Sequence, residues 1–62
     1  MKYSVKVIGV SVTNWMDLRK AIFGNAQPVF EEFGGQSGTY EFTEPVTPAD
    51  LGPLVRVELI SE

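Results

Sequence analysis

The glycine-rich segment GGQSG at residues 34–38 is the part of the chain whose composition best suits chemistry. Closely spaced glycines can bring backbone N–H groups onto a phosphate, but such loops lead into the amino terminus of a helix and often carry a lysine. Here the glycines lead into residues 39–44, which alternate like a strand, and no lysine follows Lys20. The segment is therefore predicted to be a hairpin loop in which all three glycines supply positive φ angles.

Acidic side chains are the remaining catalytic candidates, because the chain contains no histidine and no cysteine. Those two absences remove the commonest general base near neutral pH, the thiolate nucleophile and the usual zinc ligands. Glu31 and Glu32 are adjacent in a predicted strand, so their side chains point to opposite faces and cannot converge on one substrate atom. No acidic segment has the spacing of a calcium loop. We therefore expect a protein that is not an enzyme and that has no catalytic residues, no metal site and no cofactor.

Residues 14–23 are predicted to form a helix that packs on a sheet. Thr13 or Asn14 can cap its first turn, and Gly24 can end the helix. Trp15, Leu18 and Ile22 recur at helical spacing, which places them on one face. This face is the expected helical part of the core.

A second stripe on the same helix consists of Met16, Arg19 and Phe23. One interpretation is peripheral core, with the aliphatic stem of Arg19 covering apolar neighbours. The other is a contact surface, because methionine, arginine and aromatic side chains are enriched at the centres of protein interfaces.

The first strand, predicted over residues 2–10, begins with regular alternation and becomes apolar on both sides towards its end. Three apolar side chains share one face of its first part: Tyr3, Val5 and Val7. Ile8 and Val10 fall on the face that carries the lysines. We expect either another element of the protein or a partner to cover them.

Residues 28–33 fit two structures. As a helix, the segment would place its apolar side chains on one face. As a strand, it starts at Pro28 and pairs through the glycine loop with residues 39–44, where Tyr40 and Phe42 alternate with polar side chains. We favour the hairpin, because aromatic segments lie on both sides of the glycines and prolines bound them symmetrically.

The last third of the chain contains a helix-start signal and one more strand. The sequence Thr47-Pro48-Ala49-Asp50 predicts one helical turn near residues 48–51, and residues 54–60 alternate as the last strand. The chain is therefore predicted to be a single α+β domain spanning residues 1–62. In this domain one helix packs on a mostly antiparallel sheet of about four strands, in the order β-α-β-β-β.

Charge is distributed unevenly along the chain, whose formal net charge is −3. Residues 1–24 contain four basic residues and one acidic residue, whereas residues 25–62 contain one basic residue and seven acidic ones. The halves could neutralise each other across the sheet, or the acidic side could meet a basic partner. No segment has the features of a signal peptide or the roughly 18 apolar residues of a membrane span, so we expect a cytoplasmic protein without a membrane partner.

Single-stranded nucleic-acid binding is one alternative function, because Tyr40 and Phe42 could stack on bases if their face were exposed. The charges disfavour it, since Glu41 and Glu44 flank these rings where a phosphate-binding surface would carry lysine and arginine. We interpret the two rings as core. A homo-oligomeric structural protein, using an uncovered strand edge or the face of Ile8 and Val10, is a further alternative.

The function that we favour is a non-catalytic protein-binding module, an inhibitor or adaptor that acts by occupying a partner protein with a basic surface. The candidate contacts are seven residues: Met16, Arg19, Phe23, Ile8, Val10, Glu41 and Glu44. Compact, acidic, cysteine-free single domains are a familiar type among accessory proteins of phages and mobile elements that inhibit or retarget a host enzyme. This association in size and composition favours the same class of function.

Overall fold

The computed structural model, which describes residues 1–62, contains one helix and four strands. The elements in chain order are β1 (Lys2–Val7), α1 (Trp15–Phe23), β2 (Phe30–Gly34), β3 (Ser37–Glu41) and β4 (Val55–Ser61). All strand pairs are antiparallel, and the order across the sheet is β2-β3-β1-β4. The predicted α+β fold is confirmed, and the hairpin interpretation of residues 28–33 is correct.

The core lies between α1 and the face of the sheet that carries the odd-numbered residues of β1. Tyr3 and Val5 of β1 are opposite Tyr40 and Gly38 of β3, and all four residues are buried. The ring of Phe23 lies 4.8–5.5 Å, between centroids, from three other aromatic rings: Tyr3, Tyr40 and Phe42. Such aromatic contacts add to the stabilisation that burial alone provides. Tyr40 and Phe42 are core residues, and their rings are not available to stack on bases.

The helix begins and ends where its capping residues predict. The side-chain oxygen of Asn14 accepts a hydrogen bond from the N–H of Asp17 at 3.1 Å, which satisfies one free donor of the first turn. Gly24, with φ 67°, donates its N–H to the carbonyl of Lys20 at 2.9 Å and closes the last turn. The helix has nine residues, and no helix of the protein is long and apolar enough to cross a bilayer.

Strand β1 is shorter than predicted, because it ends at Val7. Gly9 has φ 91°, a value outside the range of a regular strand. Ile8 still donates its N–H to the carbonyl of Leu54 at 2.8 Å, but no element covers the side chains that follow the strand. Ile8 is 43% exposed and Val10 is 63% exposed.

The hairpin between β2 and β3 turns through two residues, Gly35 and Gln36. Gly35 has φ 59°, and Gln36 does not have a positive φ, which is the pattern of a type II′ turn. The prediction of positive φ angles at Gly34 and Gly38 is wrong. Gly38 is needed for close packing instead, because a Cβ atom there would lie 3.2 Å from Cζ3 of Trp15.

The helical turn predicted near residues 48–51 is absent, and the segment is an extended link between β3 and β4. Its backbone groups form hydrogen bonds other than those of a helix. Ala49 donates its N–H to the carbonyl of Ile22 at 2.7 Å, and Gly52 donates its N–H to the carboxylate of Asp50 at 2.9 Å. Because α1 and the Asp50 side chain supply these acceptors, the link does not need the local hydrogen bonds of a turn.

Candidate protein-binding edge strands

The predicted contact stripe on α1 is divided between surface and core. Met16 is 61% exposed, whereas Arg19 and Phe23 are only 7% and 6% exposed. Phe23 packs among aromatic rings of the sheet, and the guanidinium of Arg19 turns towards β2. The structure therefore places one of the three side chains where another protein could contact it.

Arg19 belongs to a partly buried polar cluster between α1 and β2. Its Nη1 donates a hydrogen bond to Oε2 of Glu31 at 3.0 Å, and this contact is also the one ion pair of the protein. The Nε of Arg19 and the hydroxyl of Tyr40 are buried without a hydrogen-bond partner. Burial raises the pKa of Tyr40 to about 12, with the negative charge of Glu31 adding to the rise and the charge of Arg19 opposing it. The cluster fixes the edge strand β2 beneath the helix.

The acidic candidate contacts and the apolar candidate contacts that follow β1 lie at opposite ends of the sheet. Glu41 is opposite Lys2 at the start of β1, and Glu44 follows in the link after β3. Ile8 and Val10 come after the other end of β1. Six residues of extended chain separate Lys2 from Ile8, a distance of roughly 20 Å. The predicted acidic rim therefore does not surround the exposed apolar pair.

Strand β2 is one free edge of the sheet, and all five of its residues are exposed. Phe30 is 44% exposed and Phe33 is 45% exposed. Phe30 is opposite Glu41 on the open face of the sheet, the face away from α1, and Nζ of Lys2 lies 5.9 Å from its ring centroid. Phe33 is on the helix side, where its ring centroid lies 5.3 Å from that of Trp15. The edge thus presents an aromatic side chain on each face.

Acidic side chains surround this edge. Glu31 and Glu32 belong to β2 itself, and Glu41 is the neighbour of Phe30 on β3. Only Glu31 is ion-paired, so Glu32 and Glu41 have no bonded cation. Carboxylates of this kind suit a partner that brings positive charge to the edge.

Strand β4 is the other free edge, and it differs from β2 in carrying both signs of charge. Arg56 is opposite Lys6 on the open face, and Glu58 is opposite Ser4. Neither Arg56 nor Glu58 forms an ion pair. Leu59, on the helix side of the same strand, is 46% exposed. This edge is therefore charged on one face and apolar on the other.

Surface cavities give little support to a small-molecule site. The four cavities have volumes of about 270–370 Å³, and the largest lies between residues 25–27 and residues 42–46, with Glu44 as its one ionisable side chain. No group of three acidic side chains converges in a way that could hold a metal ion. The two strand edges remain the candidate binding surfaces.

Sequence reasoning missed Phe30, Phe33, Arg56 and Glu58 as functional candidates. Alternation identified the segment of Arg56 and Glu58 as a strand, and the prolines and glycines favoured a strand for Phe30 and Phe33, but neither signal showed which strands would be edges. The distribution of acidic residues around residues 31–44 was the one available signal for β2.

Comparisons of the chain with protein-family models, with curated proteins and with solved structures found no match.

Proposed function

We propose that this protein is a non-catalytic protein-binding module, an inhibitor or adaptor that accepts an extended segment of its partner along β2. The observation that supports the proposal is the exposure of this edge. All five residues of β2 are exposed, and two of them are phenylalanines. Natural proteins usually protect an edge of this kind against pairing with another chain, so an aromatic edge that is left open suits a binding role.

Strand addition supplies the binding energy and the specificity by separate means. The free N–H and C=O groups of β2 would form main-chain hydrogen bonds with the incoming segment, whatever its sequence. Phe30 and Phe33 lie on opposite faces of the sheet, so they would contact alternate side chains of that segment on both faces. Large aromatic side chains are the residues that most often dominate binding at protein interfaces.

The charges around the edge specify the chemistry of the partner. Glu32 and Glu41 lie on the same face as Phe30 and have no bonded cation. A partner segment with lysine or arginine at alternate positions would place its charges beside these carboxylates. Attraction between exposed charges mainly raises the association rate, and salt screens it.

Affinity capture from the native cell with designed variants tests this proposal. Phe30→Ser combined with Glu32→Lys changes the edge, and Leu51→Ser combined with Glu62→Lys is the matched control, with the same kinds of change at exposed positions off the edge. We expect wild type and the control to capture the same partner and the edge variant to lose it, while circular dichroism shows all three folded. Equal capture by all three proteins would refute a binding role for β2.

The captured partner then permits a test of the charge argument. Its affinity for the wild-type protein should fall as salt concentration rises, and Glu32→Lys alone should weaken binding by more than the control Glu62→Lys does. An affinity that is independent of salt would show that the partner is not recognised by positive charge.

A further inference from the structure

We propose that two copies of this chain associate through β4, antiparallel, with the two-fold axis at Val57. The two sheets would then form one eight-stranded sheet with β2 at both outer edges. The inference is independent of the proposed function of β2, because this association leaves both β2 edges free. It rests on the backbone direction, the charges and the apolar side chains of β4.

The backbone of β4 presents the correct groups at the free edge. Ile8 of β1 bonds to Leu54, and hydrogen-bonded residues alternate along an antiparallel ladder. Val55, Val57 and Leu59 therefore direct their N–H and C=O groups away from β1. In a pairing centred on Val57, Val55 of each copy is opposite Leu59 of the other. Within one copy the N–H of Val55 already donates to the carbonyl of Gly52 at 3.4 Å, so the pairing relies on the backbone groups of Val57 and Leu59 and on the C=O of Val55.

The same register matches the charges. It places Arg56 of each copy directly opposite Glu58 of the other, on the open face of the sheet, twice in the symmetric pair. Residues that are opposite without sharing hydrogen bonds have Cα atoms about 4.5 Å apart, which brings their side chains into contact. Within one copy, neither Arg56 nor Glu58 is ion-paired. Association would therefore give both charges a partner.

The helix side of the pairing is apolar. There the register places Val57 opposite Val57 and Leu59 opposite Val55 of the other copy. A groove of about 280 Å³ lies beside Val55 and Val57, and its lining also includes Arg56 and the link residues Pro48, Ala49 and Asp50. Leu59, which is 46% exposed in one copy, would cover apolar surface at this groove in the other.

Arg56 and Lys6 give a second reason for the pairing. They are direct cross-strand neighbours in β4 and β1, an arrangement of like charges that destabilises a sheet. No carboxylate of the same copy is bonded to either side chain. Glu58 of the second copy would lie next to Arg56 and would offset this repulsion.

Other symmetric pairings fail on the same criteria. Centring β4 on Arg56 or on Glu58 would oppose two like charges and would use backbone groups that already bond to β1. Pairing two copies of β2 about Glu31 or Glu32 would oppose carboxylates at the axis. A slip of one residue in β4 would place charged side chains on the apolar face. Among these registers, the one centred on Val57 opposes unlike charges and keeps the apolar side chains together on the helix side.

Sedimentation velocity over a dilution series from micromolar to millimolar tests the pairing with charge-swap variants. Arg56→Glu places a second carboxylate opposite Glu58, and Glu58→Arg places a second guanidinium opposite Arg56, so each variant alone should associate about tenfold or more weakly than wild type. The double variant restores opposite charges in every pair and should associate like wild type. An equimolar mixture of the two single variants should form a heterodimer, because both of its cross-strand pairs join a carboxylate to a guanidinium.

The mixture is the most specific readout, because a general effect on folding cannot produce it. The Arg56→Glu copy carries a carboxylate at both positions 56 and 58, and the Glu58→Arg copy carries a guanidinium at both. Each cross-strand contact of the mixed pair therefore joins opposite charges. Phe30→Ser combined with Glu32→Lys should leave association unchanged, which separates this inference from the role proposed for β2.

Three results would overturn the inference. A wild-type mass of 6.8 kDa at every concentration would show that the copies do not associate. The register would be wrong if neither single variant associated more weakly than wild type. It would also be wrong if neither the double variant nor the mixture restored the association that the single variants lose.

Discussion

The guanidinium of Arg19 and the carboxylate of Glu31 meet at 3.0 Å between the helix and the edge strand β2. The Arg19 side chain is 9% exposed and the Glu31 side chain is 30% exposed, so the cation is the more buried partner. This contact is the one ion pair that connects α1 to β2. It also joins the basic first part of the chain to the acidic remainder.

Removing one partner of this pair should destabilise the protein. Glu31→Gln leaves Arg19 as a buried charge without a counterion, and we expect a loss of about 1–3 kcal/mol in the free energy of unfolding. The loss should be smaller than for a fully buried ion pair, because water screens the charge of Glu31. Urea unfolding measures the loss, and Glu32→Gln on the exposed face is the control. Replacing both partners, by Arg19→Met and Glu31→Leu, should cost less than Glu31→Gln alone. Equal stability of Glu31→Gln and the control would show that the pair contributes nothing.

Gly38→Ala should destabilise the protein through steric overlap. The new Cβ atom would lie 3.0 Å from Cβ of Phe33 and 3.2 Å from Cζ3 of Trp15, both tighter than ordinary contacts. Crowding of this kind in a packed core costs about 1–3 kcal/mol. Gly34→Ala is the matched control in the same hairpin, because a Cβ atom at that position would meet nothing within 4 Å and its φ is not positive. Thermal unfolding should separate the two variants, and similar midpoints for both would contradict the role of Gly38.

Ionisation of Tyr40 should make the fold sensitive to alkali. The pKa of its phenol is raised from 10.0 to about 12 by burial first and by Glu31 second, so the folded state holds the proton more tightly than the unfolded state. The stability that this proton provides is complete below pH 10 and is lost as pH rises from about 10 to about 12. Urea unfolding at a series of alkaline pH values should show this loss, and Tyr40→Phe should remove its contribution.

The two buried tyrosines should respond differently to removal of the hydroxyl at neutral pH. The Tyr40 hydroxyl has no partner, so Tyr40→Phe should leave the free energy of unfolding unchanged or raise it by up to about 1 kcal/mol. The Tyr3 hydroxyl donates to the carbonyl of Val46 at 3.0 Å, so Tyr3→Phe should lower it by about 0.5–1.5 kcal/mol. A larger loss for Tyr40→Phe than for Tyr3→Phe would show that the Tyr40 hydroxyl has a partner in solution.

Arg56→Glu should stabilise one copy of the protein while it weakens association. The substitution replaces a like-charged neighbour of Lys6 by one of opposite charge on the adjacent strand. Opposite charges at such positions contribute about 0.2–1 kcal/mol. Urea unfolding at low protein concentration and low salt should show a higher midpoint for Arg56→Glu than for wild type. Glu58→Arg is the comparison, because position 58 is opposite the uncharged Ser4 and the substitution should not raise the midpoint. A lower midpoint for Arg56→Glu would contradict the cross-strand repulsion.

The elements of this protein follow from local patterns that a single sequence contains. The cap at Asn14 and the glycine at position 24 fixed the helix, because both act on backbone groups of their own turn. Alternation identified β1, β3 and β4, and the prolines and glycines between residues 28 and 45 favoured the hairpin that the structure contains. These signals are short-range, and they specify an element whatever its neighbours are.

Where each element lies was decided only by tertiary structure. The order β2-β3-β1-β4 leaves β2 and β4 as edges, and no local signal distinguishes an edge strand from a central one when both alternate. The same packing buried Arg19 and Phe23, which helical spacing alone placed on a shoulder, because the position of β2 determines how much of α1 the sheet covers.

The sequence by itself determined the helix and the strands. It also determined that the side-chain chemistry of histidine and cysteine is absent. Tertiary structure decided which apolar and charged side chains remain exposed. It also replaced the helical turn predicted at residues 48–51, because the carbonyl of Ile22 offered Ala49 a hydrogen bond from a distant part of the chain. Side-chain exposure depends on contacts between residues far apart in sequence, and a periodic pattern contains no information about those contacts.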